Sequence, residues 1–149
     1  MARFLGVDYG KKLIGLSIGD DGLRIASPLD TLAASGRIEQ DARAVLQRAV
    51  DEGADAIVVG LPLNMDDSVG PQAVLTRKFV AAVRAGGTIR VEEQDERLSS
   101  FAADEALAMG GLSRKGKASR RDMLAAQMIL QAYFDRVARG ASSGSEPPD

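Results

Sequence analysis

Three stretches of this chain place carboxylates where they could do chemistry. Asp8 stands at the end of a predicted strand, four acids fall within residues 92–96, and Asp122 lies near the start of a predicted helix. The chain has no histidine and no cysteine, so it lacks an imidazole base, a thiolate nucleophile and the usual zinc ligands. Any catalysis would therefore depend on carboxylates that bind hard cations such as Mg²⁺ or transfer protons themselves.

Asp8 is surrounded by positions that carry no side chain. Gly6, Gly10 and Gly15 would allow a phosphate or a sugar to approach the backbone closely. The alternative is a turn aspartate, because Asp is common where hairpins reverse.

The acids at 92–96 are expected at the exit of a strand, where their charges repel one another unless a cation or an arginine neutralises them. A strand sends neighbouring side chains to opposite faces, so only some of these acids can face one site. Asp95 or Glu96 is favoured, and Arg97 is the nearest counter-charge. The alternative is a hydrated acidic loop.

Asp122 lies three residues after Ser119, and this spacing is typical of a capping box at a helix start. However, Asp122 shares a helix face with Ala125, Ala126 and Ile129, which directs it towards the core, where an unpaired carboxylate is unfavourable. A ligand site is therefore the second interpretation of this residue.

We predict that Asp8, Asp95 or Glu96, and Asp122 together hold one or two Mg²⁺ ions through oxygen ligands. Positive charge beside clustered acids suits a phosphodiester bound at a metal, although a basic loop is often only a solvated one. Seven basic residues flank two of these acids: Lys11, Lys12, Arg114, Lys115, Lys117, Arg120 and Arg121.

The elements that must position these acids are predicted from hydrophobic periodicity and from turn residues. Strands are expected at 4–7 and 13–18, as an opening hairpin, and at 56–60 and 88–92. Helices are expected at about 37–52, 71–85, 99–109 and 119–139. The stretch punctuated by Gly22 and Pro28 is expected to be irregular. This order predicts one α/β domain over 1–139, a mixed sheet flanked by helices, with a disordered tail at 140–149.

Composition limits the partners of this domain. With a net charge of −2 and 4% aromatic residues, the chain could bind nucleic acid only through a local basic patch. The lack of cysteine and of an apolar leader predicts a cytoplasmic protein, and no apolar run approaches the ~20 residues that span a bilayer.

Five motifs resemble the YqgF type of Holliday-junction-resolvase-like proteins, which are also described as pre-16S rRNA nucleases. They occur in family order over about residues 4–133. The motifs are GVDYGKKLIG at 6–15, VGLPLNMD at 59–66, GPQA at 70–73, DERLSS at 95–100, and KASRRD at 117–122 followed by AA at 125–126.

This resemblance implies an RNase H-like fold and a nuclease, dependent on Mg²⁺ or Mn²⁺, that processes the 5′ end of pre-16S rRNA in the bacterial cytoplasm during ribosome biogenesis. It implies that Asp8, Glu96 and Asp122 are the acidic triad, which selects Glu96 over Asp95. It also implies substrate or supporting roles for Asn64 and Arg97.

Two positions depart from the family pattern. Leu13 occupies a position that is often arginine in similar proteins, and Asp67-Ser68 stands where Gly-Thr is common. The loss of a cation and the stiffer loop alter local substrate contacts, while the three acids are unchanged.

The expected mechanism is metal-assisted hydrolysis at one ion, or at two that Asp8 would bridge if a second is present, with Glu96 and Asp122 completing the ligand set. The flanking phosphates are assigned to Lys115, Lys117 and Arg121. Three alternatives stay open: resolution of four-way DNA junctions, rRNA binding by a non-catalytic assembly factor on ribosomal particles, and an ATPase of the sugar-kinase and actin-like type. That ATPase class needs two such domains. Both a monomer and a homodimer are compatible with the sequence.

Overall fold

The computed structural model describes residues 1–63, 66, 68–96 and 114–144, and at 114, 115 and 141–144 it describes the backbone alone. Five strands lie within these ranges: β1 (Arg3–Tyr9), β2 (Leu13–Asp20), β3 (Ser27–Ala33), β4 (Ala56–Leu61) and β5 (Arg90–Asp95). The helices of the same ranges are α1 (Ile38–Asp51), α2 (Pro71–Gly86) and α3 (Arg114–Gly144). Over this part of the chain, no helix is both long and apolar enough to cross a membrane.

The strands form one mixed sheet in the order β3-β2-β1-β4-β5. β2 pairs antiparallel with both β1 and β3, whereas β4 pairs parallel with β1 and β5. The predicted opening hairpin and the predicted buried strand are therefore confirmed. β1 lies at the centre, so the residues at its carboxyl end have a neighbouring strand on each side.

Each face of the sheet packs against its own helices. Leu5 and Val7 of β1 belong to the larger core cluster, which also contains buried residues of α1 and α2 such as Val45 and Phe79. Phe4 belongs to the second cluster, which α3 completes with Ile129, Leu130, Tyr133 and Phe134. Alternate residues of β1 therefore face the two helix layers, as strand geometry requires.

The helix α3 lies unusually close to the sheet because small residues face it. A Cβ at Gly6 would stand 2.9 Å from the Cβ of Leu130 and 3.0 Å from the carbonyl oxygen of Ala126. The buried hydroxyl of Ser17 donates a hydrogen bond of 2.7 Å to that same carbonyl oxygen. The helix α3 can thus pack this closely because Gly6 has no side chain, and the hydrogen bond from Ser17 to Ala126 holds it there.

Replacing Ser17 by alanine is expected to lower the free energy of unfolding by about 1 kcal/mol, because a buried hydrogen bond is lost. Denaturant unfolding of the two proteins measures the difference. Ser27→Ala on the exposed start of β3 is the matched control and should change stability by less than about 0.5 kcal/mol. An equal effect of the two substitutions would show that the contact with α3 contributes nothing.

Two strands differ from the prediction. The stretch expected to be irregular contains β3, which tolerates Pro28 because it is an edge strand and because the register with β2 shifts beside this residue, between Leu16 and Ser17. β5 begins and ends later than predicted, since its parallel pairing with β4 runs from Arg90 to Asp95. Both ends of β5 are therefore set by its pairing with β4, which the local sequence pattern does not reveal.

The long helix is also longer than predicted. α3 includes residues 114–118, so the basic stretch expected to be a loop is helical and Ser119 is not the start of the helix. It continues to Gly144, past the predicted helix end at about residue 139, so residues 140–144 of the predicted tail are helical. The remainder of that tail, the predicted helix at 99–109, Asn64 and Arg97 lie outside the described residues.

Candidate active site

Asp8 lies on the face of the sheet that α3 covers. It follows Phe4 and Gly6 at intervals of two residues in β1, and both of these contact α3. Directly opposite Asp8 on β2 is Gly15, and the register of β1 with β4 reaches Val7 and Val59, one residue before Asp8 and Gly60. Glycines thus accompany Asp8 on both neighbouring strands, and the space that their side chains would take is filled by residues of α3 and by Glu96.

Glu96 reaches the same face from β5. The side chain of Gln94 accepts a hydrogen bond of 2.9 Å from Nε of Arg136 on α3, and the period of two then sends Glu96 to that face and Asp95 to the other. A carboxylate oxygen of Glu96 lies 2.8 Å from the position that a Cβ at Gly60 would occupy. The structure therefore brings Glu96, and not Asp95, beside the Asp8 strand.

Asp122 reaches the site from above the sheet, on α3. A Cβ at Gly15 would overlap the carbonyl oxygen of Asp122 and would lie 3.1 Å from its Cβ. This close approach sets Asp122 over the residue that pairs with Asp8. The capping box expected between Ser119 and Asp122 is absent from this helix, because both residues lie well inside α3.

Burial is the main cause that raises the pKa of each of the three carboxylates. Asp8 is only partly exposed and densely surrounded, and burial raises its pKa to about 8, helped by the negative charges of Glu96 and Asp122 and opposed by Arg121. Burial also raises the pKa of Glu96, with a contribution from Asp95. It raises the pKa of Asp122 as well, against the lowering effect of Arg121. The surroundings of all three carboxylates therefore disfavour their negatively charged forms.

This donor set fits a hard divalent cation. Three carboxylates offer only oxygen ligands, which Mg²⁺ and Mn²⁺ prefer, and a cation there would stabilise the ionised carboxylates that burial disfavours and offset the repulsion on Asp8. Within residues 1–63, 66, 68–96 and 114–144, no three acidic side chains are already arranged as a ligand set for one ion. The three carboxylates therefore suit a divalent cation by their charge and by their oxygen donors, and not by a ligand geometry that is already formed.

A cleft of about 550 Å³ opens beside Asp122, which is within the size range of small-ligand pockets. We call it the hairpin cleft, because the β1–β2 turn forms one wall and α3 the other. Its lining residues are Gly10, Lys11, Lys12, Leu13, Thr31, Ala118, Ser119, Arg121 and Asp122. Positively charged side chains of the β1–β2 turn and of α3 thus lie in the same cleft as Asp122.

The predicted basic residues are distributed unevenly about this cleft. Lys11, Lys12 and Arg121 are exposed and line it, whereas Lys117 is exposed on α3 but does not line it. For Lys115 the backbone alone is described. Thr31 has no signal in the sequence, because the strand that carries it was not predicted. Ser119 was interpreted only as a helix cap.

Comparison with known proteins identifies the family to which this chain is similar. A family model described as RuvX, Holliday junction resolvase, matches residues 2–136. A protein of Sinorhizobium medicae (strain WSM419) is 43% identical over 146 residues, which cover 96% of this chain and 88% of the relative. One of Anaeromyxobacter dehalogenans (strain 2CP-C) is 43% identical over 136 residues, covering 91% and 98%. Both carry the name "Putative pre-16S rRNA nuclease".

The fold also has a counterpart among solved structures. T. thermophilus RuvC in complex with a Holliday junction substrate matches with a TM-score of 0.58 at 15% identity, covering 93% of this chain and 97% of RuvC. At this level of identity the similarity establishes the fold. The expected RNase H-like fold is thereby confirmed.

Proposed function

Because this chain belongs to the RuvX Holliday junction resolvase family, we propose that it is a nuclease that hydrolyses phosphodiester bonds at a divalent metal site. The observation that carries the proposal is the set of three carboxylates, contributed by β1, α3 and the residue after β5, in which burial and then the charges of Glu96 and Asp122 raise the pKa of Asp8, beside a basic cleft. Such a set needs a cation, and a cation beside basic residues suits a phosphodiester.

Each group has a separate task in this mechanism. Asp8, Glu96 and Asp122 would hold Mg²⁺ or Mn²⁺, which when bound polarises the phosphodiester and activates a water molecule. Lys11, Lys12 and Arg121 hold the phosphates on either side of the scissile bond without reading the base sequence. Lys115 and Lys117, earlier on α3, extend this phosphate contact. Asn64 and Arg97 are assigned to the substrate on the strength of their motifs.

We propose precursor rRNA as the substrate, cut at the 5′ end of pre-16S rRNA in the bacterial cytoplasm on assembling ribosomal particles. Support comes from relatives at 43% identity over nearly the whole chain that carry the name of such an enzyme. A second candidate is resolution of a branched DNA junction, which the description of the family model favours.

One experiment separates these functions. Purified protein is incubated with a labelled precursor rRNA fragment, a single strand of unrelated sequence and a four-way DNA junction, each with Mg²⁺, with Mn²⁺ or with EDTA. We expect metal-dependent cleavage of the precursor. Preferred cleavage of the junction would identify a resolvase, and tight binding of rRNA without cleavage under every condition would identify an assembly factor and refute the nuclease.

The proposed phosphate contacts predict a change in salt dependence. The double variant Lys11→Gln, Arg121→Gln should bind single-stranded RNA more weakly, and its plot of log K against log salt should be shallower by about 1.4 units, because the slope is about −0.7 per phosphate neutralised on single strands and two cations are removed. Fluorescence anisotropy over a salt series measures both. Lys78→Gln, on the exposed side of α2, is the matched control. An unchanged slope in the double variant would remove these residues from the interface.

A further inference from the structure

Two hydroxyl groups meet inside the hairpin cleft. Oγ1 of Thr31 and Oγ of Ser119 lie 3.0 Å apart, joined by a hydrogen bond that is only partly buried. Thr31 comes from the edge strand β3 and Ser119 from α3, one helical turn before Asp122. Both residues line the same cleft as Asp122, so the hydroxyl pair shares this cleft with one of the proposed catalytic acids.

The sheet register places this pair in line with the acids. Asp8 pairs with Gly15 across β1 and β2, and Gly15 pairs with Thr31 across β2 and β3. Two interstrand spacings, about 9–10 Å, therefore separate the backbones of Asp8 and Thr31. The backbone of α3 at Asp122 fills the space above Gly15, which lies between them, so a nucleotide would reach the hydroxyl pair from the hairpin cleft, on the side of Asp122.

The chemistry of the pair differs from that of the other polar groups in the cleft. Lysine and arginine bind phosphates, which RNA and DNA share, and so they cannot distinguish the two. A pair of hydroxyls that shares one hydrogen still has a second hydrogen to donate and lone pairs to accept with. The 2′-hydroxyl of ribose is likewise both a donor and an acceptor, and it is the group by which proteins distinguish RNA from DNA. Leu13 and Ala118 provide apolar surface beside the pair.

We propose that Thr31 and Ser119 form a ribose subsite, which binds the 2′-hydroxyl of the nucleotide next to the scissile phosphate and selects RNA over DNA. This inference rests on the proposed nuclease function and specifies its substrate class.

The test pairs a hydroxyl of the protein with a hydroxyl of the substrate. Thr31→Val and Ser119→Ala each remove one protein hydroxyl, and an RNA oligonucleotide carrying 2′-deoxyribose at each position in turn removes one substrate hydroxyl. Cleavage rates of all combinations form double-mutant cycles. We expect one 2′-deoxy position to slow the unsubstituted protein by roughly three- to tenfold, the effect of one hydrogen bond, and to slow the two variants far less.

Controls separate recognition from folding. Thr76→Val removes a buried hydroxyl that donates to the carbonyl oxygen of Gln72 within α2, on the other side of the sheet, and it should keep the full sensitivity to the 2′-deoxy position. Thr31→Ser, which restores the hydroxyl, should also recover it. A purely structural role for the pair would change melting temperatures and leave the sensitivity to 2′-deoxyribose intact, and that result would overturn the proposal. Equal cleavage of all-ribose and 2′-deoxy oligonucleotides by the unsubstituted protein would overturn it too.

Failure of the nuclease proposal is distinguishable from failure of the subsite. If the unsubstituted protein cuts no oligonucleotide with either metal, the nuclease proposal fails, and the subsite is judged by binding alone. Anisotropy with RNA and with DNA of the same sequence then decides. A preference for RNA that Thr31→Val and Ser119→Ala abolish supports the subsite, whereas a preference that survives in both, or the absence of any preference, refutes it.

Discussion

Replacing Asp8 by asparagine is expected to lower the rate of metal-dependent cleavage on the order of a thousandfold or more, because asparagine keeps the size of the side chain and removes the charge that holds the cation. Rates with Mg²⁺ and with Mn²⁺, measured on the substrate that the unsubstituted protein cuts fastest, give the loss. Asp51→Asn removes an exposed carboxylate at the end of α1 and should leave the rate unchanged. Wild-type cleavage by the Asp8 variant would end the proposal for this site.

The same substitution should make the metal-free protein more stable. The pKa of Asp8 is raised from its ordinary value of 3.8 to about 8 in the folded protein, so the stability contributed by its bound proton is complete below the unfolded pKa and is lost progressively as pH rises to about 8. Asparagine has no proton to lose, and the gain in melting temperature over the unsubstituted protein should therefore grow between about pH 4 and pH 8 in EDTA and level off above pH 8. A variant that is less stable over this whole range would show that the carboxylate is fully compensated within the chain. Loss of activity with gain of stability would identify a functional site rather than a structural one.

The second large effect is expected at Gly15, where the smallest added side chain meets the backbone of α3. A Cβ there would overlap the carbonyl oxygen of Asp122, and a backbone atom in a long helix cannot move aside as a side-chain end can. We expect Gly15→Ala to lower the free energy of unfolding by about 2–3 kcal/mol. We also expect cleavage to fall by about a hundredfold, because Asp122 is displaced relative to Asp8. Denaturant unfolding and single-turnover rates under folding conditions measure the two effects separately.

Gly140→Ala is the control for this substitution. Gly140 is also part of the α3 region but no described atom lies within 4 Å of an added Cβ, so alanine should be neutral or should stabilise the helix by up to about 1 kcal/mol. If Gly15→Ala were as harmless as Gly140→Ala, the close contact of α3 with β2 would be refuted. The placement of Asp122 over Gly15, the residue that pairs with Asp8, would then be refuted as well.

Much of this molecule follows from local patterns in the sequence. The alternation and length of apolar runs predicted the opening hairpin, the buried strand β4 and the helices α1 and α2, and the structure confirms these elements. The patterns were least informative for β3, because an edge strand with a proline and polar residues is held by backbone pairing to β2. They also misplaced the start of α3, because Ser119 has the residue type of a helix cap and uses its hydroxyl to contact Thr31 instead.

The sequence by itself determined which chemistry is open to this chain: without histidine and cysteine, carboxylates and a hard cation are what remain, and the motifs add the choice of Glu96. Only the tertiary structure decided which groups share a cleft. The register of β5 turns Glu96 towards α3, and two hydroxyls 88 residues apart in sequence meet beside Asp122. The physical reason is that propensity and periodicity report the preferences of neighbouring residues, whereas strand register and helix docking are set by packing between segments far apart in the chain.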